Sequence, residues 1–407
     1  MGFGMFSAAV SPIAIDFGSS SVKLLQLGTG DKPQLVAAAE LPISEALRND
    51  QDGLMLFYSQ ELPKLLKDGK FKGKRVVTAV PSGQTLIQHT QVAPQDGVSR
   101  DDLIKGQIES QMGCAPNSTV VRSYEVKEVN RGGQPRTEMI CFAVARQNVM
   151  RYIELLKKMR LEVVGMHTET VSMVRAFDHL CRREADSKVT SLFVDMGWSG
   201  ARVAITHGKQ LVFARYIQVG GRHFDQLIAK SLHCDVQAAR KHRLGLQPDD
   251  AIFQQMRAGA SAGEGNAILD SAMKQGAEDG STAVATNRRT GQAPPELVHQ
   301  VAPAMEECPV DMSELLDTIT DELSMCLRYH HGLFNDRRVD RVIFLGGESR
   351  QVWLCQHIVR RLGLPAQLGD PLARVDKGNI KTPNLESSSP QPGWAVAYGL
   401  CSSPTDI

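Results

Sequence analysis

The segment Asp16-Phe17-Gly18-Ser19-Ser20-Ser21-Val22-Lys23 puts a carboxylate at the end of an apolar run and a turn of small residues directly after it. Small side chains let backbone N–H groups approach a phosphate closely, and hydroxyls add hydrogen bonds. An Asp at a strand end can hold a hydrated Mg²⁺, and Lys23 either compensates charge or faces solvent. Asp195-Met196-Gly197-Trp198-Ser199-Gly200 repeats the arrangement. Either turn alone could be a plain hairpin. The pair predicts two loops facing each other across a cleft that takes a triphosphate. Gly220-Gly221-Arg222-His223 follows a strand and opens a helix, where free N–H groups and the helix dipole suit an anion. An ordinary strand-to-helix turn is the alternative. Gly346-Gly347-Glu348-Ser349 has the same context and would let a flat base or ribose lie on the backbone.

These turns need strands to present them. Apolar runs predict strands at 12–17, 22–27 and 34–41, a helix near 54–68 that Pro63 kinks or restarts, and a strand pair at 74–80 and 84–92. A helix at 100–112 precedes extended stretches near 119–129 and 136–145, joined by the hairpin signal Gly132-Gly133. Helices at 147–160 and 169–183 flank a strand at 161–166. The opening pattern then returns with strands at 189–195, 201–206 and 210–217, so both halves begin strand, Asp-x-Gly turn, strand. A duplicated βββα domain is the inference. Helices follow at 222–233, 235–245, 311–333, 350–362 (ended by Pro365) and 393–401, with a strand at 341–345. Between 258 and 294, Gly, Ala and Ser make up 18 of 37 residues with no aromatic. Such a stretch buries too little apolar surface to offset its ordering entropy, so a disordered insertion is expected.

Composition removes several classes. Over 407 residues, 46 Lys and Arg balance 45 Asp and Glu, which lacks the basic excess of a nucleic-acid-reading surface. The eight cysteines form no Cys-x-x-Cys pair and read as reduced cytosolic thiols. No uncharged apolar stretch reaches the ~18 residues of a membrane span, and Met1 to Ile15 lacks the basic start of a signal peptide. Cys326 and His330 lie four apart on a helix, but no further metal ligand accompanies them and a packing role is expected. His330-His331 reads as a surface pair and Arg240-Lys241-His242-Arg243 as a solvated helix face.

The order of these motifs resembles the actin-like ATPases, and one branch in particular. DFGSSSVK is similar to the opening motif of the PilM family of type IV pilus assembly proteins, and TAVPSGQ (78–84), 142–177, VGGRHFDQLIA (219–229) and FLGGES (344–349) follow that family's layout. The resemblance implies duplicated actin-like, ribonuclease H-like α/β domains around a nucleotide cleft. The first domain would be 10–71 with 166–187, and the second 188–401, containing the insertion at about 250–305. An extra α+β subdomain of the FtsA/PilM type would cover 72–165. It also implies Mg-ATP binding. Asp16, Gly18, Ser19, Ser20 and Lys23 fall on the first phosphate motif, Asp195 and Gly197 on the second, and Gly346 with Gly347 on the adenosine motif. Glu169 falls on the segment linking the domains, Gly221 on the helix turn, and Glu322 on a helix near the ribose or base. Asp16 and Asp195 would hold Mg through water.

Two positions depart from the family. Ala201 stands where a Thr is usual, and losing one hydroxyl–phosphate bond costs about 1.5–3 kcal/mol, or one to two decades of affinity. Ser324-Met325-Cys326 replaces an Arg-Arg-Ser after the helix Glu. The implied function is a cytoplasmic nucleotide-binding scaffold of a pilus, secretion or competence machine, at most a weak ATPase. It would dock a short cytoplasmic peptide of a PilN-like inner-membrane protein near Leu24, Val80 and Pro81. Alternatives are a sugar-kinase-type phosphotransferase, for which no acceptor-activating Asp signature is present, and an FtsA-like filament protein, whose amphipathic terminal helix residues 401–407 do not supply.

Overall fold

β1 (Ile13–Phe17) is buried along its whole length, as expected of a central strand covered on both faces. The computed structural model describes residues 10–30, 32–95, 97–181, 183–246, 310–378 and 389–405. The expected insertion at 250–305, with its Gly/Ala/Ser-rich stretch 258–294, lies outside the described residues.

β1 pairs antiparallel with β2 (Ser21–Leu27), which pairs antiparallel with β3 (Leu35–Pro42). On its other side β1 pairs parallel with β4 (Arg75–Val80), and β4 pairs parallel with β8 (Glu162–Thr168). The sheet order is β3-β2-β1-β4-β8. A second sheet repeats this plan from β9 (Thr190–Met196), β10 (Ala201–His207), β11 (Gln210–Ile217), β12 (Arg341–Leu345) and β13 (Ala366–Leu368) in the order β11-β10-β9-β12-β13. The same antiparallel and parallel pairings recur at equivalent places, so the duplication expected from the two Asp-x-Gly turns is present in the topology.

A third, antiparallel sheet of order β5-β7-β6 is built by β5 (Thr85–Val92), β6 (Thr119–Arg131) and β7 (Gln134–Ala145). The expected pairing of 74–80 with 84–92 does not occur. Pro81 and the single turn Ser82–Gln84 redirect the chain, and β5 pairs with β7 instead. The β6–β7 turn has both Gly132 and Gly133 at positive φ, 61° and 80°, the twist that a two-residue hairpin requires.

α1 (Gln51–Asp68) starts where the Asp50 carboxylate accepts the Gly53 N–H, and it continues through Pro63 rather than restarting there. α2 (Arg100–Gln111) covers the third sheet, and α3 (Arg146–Lys158) returns the chain to β8. α4 (Glu169–Arg175) is capped by Thr168 and stops far short of residue 183, giving way to two short turns. α5 (Gly221–Ser231), α6 (Val236–Gly245), α7 (Ser313–Leu333) and α8 (Val352–Leu362) belong to the second half. α8 ends at Gly363 (φ 64°), ahead of Pro365. α9 (Ala395–Cys401) packs on α4 and β1, so the last helix of the expected second domain lies against the first sheet.

One core cluster runs through both five-stranded sheets, from Ala14 and Leu25 through Met173 to Leu345 and Ala397. A second fills the space between the first sheet and α1 with α3, and includes Phe17, Tyr58 and Tyr152. The ends of β1 and β9, with the loops that follow them, line one cavity, which positions the site.

Candidate functional site

The loops after β1 and β9 and the turn after β12 converge on one cavity of 460 Å³. Asp16, Gly18, Ser19, Ser20 and Lys23 line it from the first sheet, and Asp195, Gly197, Gly346 and Gly347 from the second. Nine of the twelve residues singled out in the sequence are thereby brought together.

Glycine is required at two of these positions. A Cβ on Gly18 would sit 2.8 Å from the Ser21 carbonyl oxygen. Gly346 has φ +85°, and a Cβ there would collide with the Met196 carbonyl and Asp195 Oδ1. Lys23 is held by Ser21 Oγ at 3.0 Å and by Glu40 at 3.6 Å, so it compensates charge at the rim.

The residue that sequence reasoning missed is Arg202. It lies directly across the β9–β10 hairpin from Asp195, and its guanidinium lines the cavity. Nε donates to Asp195 Oδ2 at 2.9 Å and Nη1 to Glu169 Oε2 at 2.7 Å. Burial works against the Arg202 charge, yet Asp195 and Glu169 hold it firmly protonated. Burial also raises Asp195, with Arg202 opposing it. Asp16 is pushed up to about 7, first by burial and then by the Glu169 charge. The seven-residue offset of Arg202 from Asp195, across one hairpin, was the available signal for it.

The other three residues take different places. Glu169, 2% exposed, stands behind the cavity, accepting from the Ser82 N–H at 2.6 Å as well as from Arg202. The N–H groups of Gly221 and Arg222 donate to the carbonyls of Gly197 and Trp198 at 3.1 and 2.9 Å. The second loop itself thus occupies the start of α5, and the Gly220-Gly221 pair serves close packing rather than offering those N–H groups to an anion. Glu322 on α7 pairs with Arg215 at 2.6 Å and is not among the residues lining this cavity.

Two further expectations are corrected. Arg243 is not on a solvated face: it is fully buried, with Nε 2.6 Å from Asp225 and Nη1 2.5 Å from Glu348. Its neighbour Arg240 does line the cavity. His330 is not a surface residue, because it is 2% exposed and its Nε2 lies 2.8 Å from His207 Nε2. Leu24 and Val80 are buried at 0% and 4% exposure, while Pro81 beside them is half-buried. A groove of 580 Å³ lies between α1 and α3, lined by Met55, Leu56, Met150, Arg151, Glu154 and Lys158 among others. No group of three or more metal-ligating side chains occurs among the described residues.

The residues present fit a magnesium nucleotide. Asp195 Oδ1 is buried without a hydrogen-bond partner among the described residues, a state that costs free energy unless a cation or its water satisfies it. Glycines and serines leave room at the backbone, and Lys23, Arg202, Arg240 and Arg350 supply positive charge around it.

Two sheets of one strand order, facing a polar cavity lined by paired Asp-x-Gly loops, define an actin-like fold. The family described as type IV pilus assembly protein PilM matches residues 14–252, more than half of the chain, and the chain belongs to that family. Among solved structures it is similar to a PilM-PilN type IV pilus biogenesis complex, with 17% identity and a TM-score of 0.68 over 98% of this chain and 99% of that one. It is also similar to the ethanolamine utilization protein EutJ from Carboxydothermus hydrogenoformans, at 12% identity and TM-score 0.45 over 97% and 89% of the two chains. MreB5 of Spiroplasma citri bound to ADP is 13% identical, with TM-score 0.44 over 95% and 94%.

Proposed function

We propose that this protein is a nucleotide-loaded scaffold of a type IV pilus machine. Mg-ATP would occupy the cavity between the two sheets as a structural ligand. Asp16 and Asp195 would hold the metal through water, the Gly18–Ser20 and Gly197 loops the phosphates, and Gly346-Gly347 the nucleoside side. The bound metal would neutralise the phosphate charge. The protein's own part is to orient the nucleotide and to hold Glu169 and Asp195 compensated through Arg202. The observation that carries this reading is the buried, unpartnered Asp195 Oδ1 in a cavity lined by both Asp-x-Gly loops.

The partner is a PilN-like inner-membrane protein, docking through a short cytoplasmic peptide. The groove between α1 and α3 suits it, since Leu56 and Met150 are 60% and 40% exposed beside charged Arg151, Glu154 and Lys158. Clustered exposed apolar side chains with a polar rim are characteristic of a docking site. No helix among the described residues is long and apolar enough to cross a membrane, so peripheral attachment would run through that partner.

The test is a melting experiment combined with turnover. Millimolar Mg-ATP should raise the melting temperature by ligand linkage, Asp16→Ala should remove the shift, and turnover should stay below about one per minute, far under the usual 1–10³ per second of enzymes. A missing shift in the wild type would remove the nucleotide. Rapid transfer to a small acceptor without peptide binding would favour a kinase.

A further inference from the structure

β5 and β11 are end strands of their sheets, and both line a groove of 870 Å³ beside α7. The groove takes in five consecutive residues of β5, Thr85 to His89, and four of β11, Phe213 to Tyr216. A strand presents only alternate side chains to one face, so an unbroken run means that the groove follows the edge of β5 itself. The other edge of β5 is paired with β7 along its whole length. His89 closes one end of the slot, with Nε2 3.3 Å from the Ala214 carbonyl oxygen and 3.4 Å from the Ala214 nitrogen. The slot shares no lining residue with the nucleotide cavity or with the groove between α1 and α3.

Exposed strand edges are normally blunted by charge, proline or a bulge, because their unpaired N–H and C=O groups accept another strand. β6, at the far edge of the same sheet, follows that rule with Arg122, Glu125, Lys127 and Glu128. β5 does not. Its sequence TLIQHTQV holds no Lys, Arg, Asp, Glu, Pro or Gly, and its ladder with β7 has no bulge. α2 reaches one face of β5, through Gln111 to Gln88 and Gln107 to Thr90, and leaves the edge open. The walls define what fits there. Leu86, Met325 and Tyr329 are exposed, Arg215 and Arg328 add positive charge, and no carboxylate lines the slot. We propose that β5 takes up an extended segment of a partner protein as a fourth strand of the third sheet, and that apolar and acidic residues alternate along that segment. Main-chain hydrogen bonds to β5 supply affinity, and the alternate side chains supply specificity. Apolar ones cover Ile87, Met325 and Tyr329, and carboxylates meet Arg215 and Arg328. A second copy of this chain fits worse, because two such slots brought together set arginine against arginine. The proposal depends on neither the nucleotide nor the PilN-like peptide.

The experiment titrates the full chain with labelled synthetic peptides of the length of β5, 8 residues, in which valine alternates with glutamate or with lysine. The valine–glutamate peptide should bind at least about tenfold more tightly than the valine–lysine one. Arg328→Glu, at an exposed position of α7, should weaken the acidic peptide by about tenfold and leave the melting temperature unchanged. N-methyl groups on the valines and on the glutamates fall on opposite edges of an extended peptide. One set should abolish binding and the other should leave it, as a one-sided ladder requires. Amide hydrogen exchange at 85–92 should slow when the acidic peptide is bound. The wild-type comparisons need no variant that must fold. Absence of binding, equal binding of the two peptides, or binding that survives both methylations overturns the proposal. So does self-association that slows exchange at 85–92 without peptide, which would give the edge to a second copy. None of these outcomes touches the Mg-ATP shift or the PilN-like peptide, so the proposed function stands or falls separately.

Discussion

Arg202 Nη1 and Glu169 Oε2 meet at 2.7 Å where the second sheet touches the helix that leaves the first. The same carboxylate oxygen accepts the Ser82 N–H from the turn entering the third sheet. One buried oxygen thus joins all three sheets of the described residues, directly behind the cavity.

Removing the guanidinium leaves Glu169 and Asp195 buried and uncompensated. Breaking one side of a buried pair costs about 3–5 kcal/mol. Arg202→Met should therefore lower stability by roughly 3 kcal/mol, read as a fall in the urea midpoint. Glu169→Gln in the Arg202→Met background should cost less than it does alone, giving a coupling energy between the two positions. Additive effects would show that the pair does not hold the junction.

The buried histidine pair makes acid sensitivity predictable. With Nε2 facing Nε2, one ring donates and the other accepts, and a proton on the acceptor would set two N–H groups against each other. Burial, followed by Arg337 for His207 and by His331 for His330, pushes each ring down to about 4. The unfolded value is about 6.5, so between those values the unfolded chain binds more protons than the folded one. Stability from this pair is therefore complete above about pH 6.5 and lost as pH falls toward 4, by at most roughly 3 kcal/mol per ring. The double variant His207→Gln, His330→Gln replaces the pair by amides that do not titrate. Its urea midpoint should fall less steeply from pH 7 to 5 than the wild type's, and parallel slopes would refute the assignment.

Gly346→Ala probes the cavity without touching charge. The new Cβ would strike the Met196 carbonyl and Asp195 Oδ1, at a backbone φ of +85° that L residues rarely adopt. Relief requires the β12 turn or the second loop to move, which displaces the unpartnered Asp195 oxygen. The variant should lose about 1–3 kcal/mol of stability and most of its Mg-ATP thermal shift. A full shift at wild-type size would mean that the nucleotide does not use this turn.

The duplicated topology was legible because each half opens with the same apolar strand and Asp-x-Gly turn, which is local information. Nine cavity residues could be named for the same reason, since each lies near the end of a strand or in the loop beside it. Misreadings came where distant chain segments decide. Arg243 sits in a run that looks like a solvated helix face, and only the arrival of Asp225 and Glu348 makes burial of its charge tolerable. His330 is buried because His207 and Phe334 cover it. Gly220-Gly221 reads as an anion site in the sequence, but carbonyls of the second loop occupy the N–H groups of Gly221 and Arg222. On α1, Leu56 is an apolar residue out of helical phase and 60% exposed, a feature that is legible in the sequence.

That exposed leucine gives the last test. Leu56 and Met150 protrude from α1 and α3 into the groove, while Tyr58 and Leu62 on α1 face the core. Changing Leu56 removes surface available to a partner and takes nothing from the interior, so Leu56→Asp should leave the melting temperature and the Mg-ATP shift unchanged. Burying one leucine side chain contributes about 1.5–3 kcal/mol, so the peptide from the PilN-like protein should bind about ten- to a hundredfold more weakly. Fluorescence anisotropy of a labelled peptide would read the loss. Leu86→Asp, at a residue 38% exposed in a separate groove beside α7, is the matched control and should leave peptide affinity unchanged. If Leu86→Asp weakens the peptide and Leu56→Asp does not, the docking site lies between β5 and α7, and the groove between α1 and α3 has been misassigned.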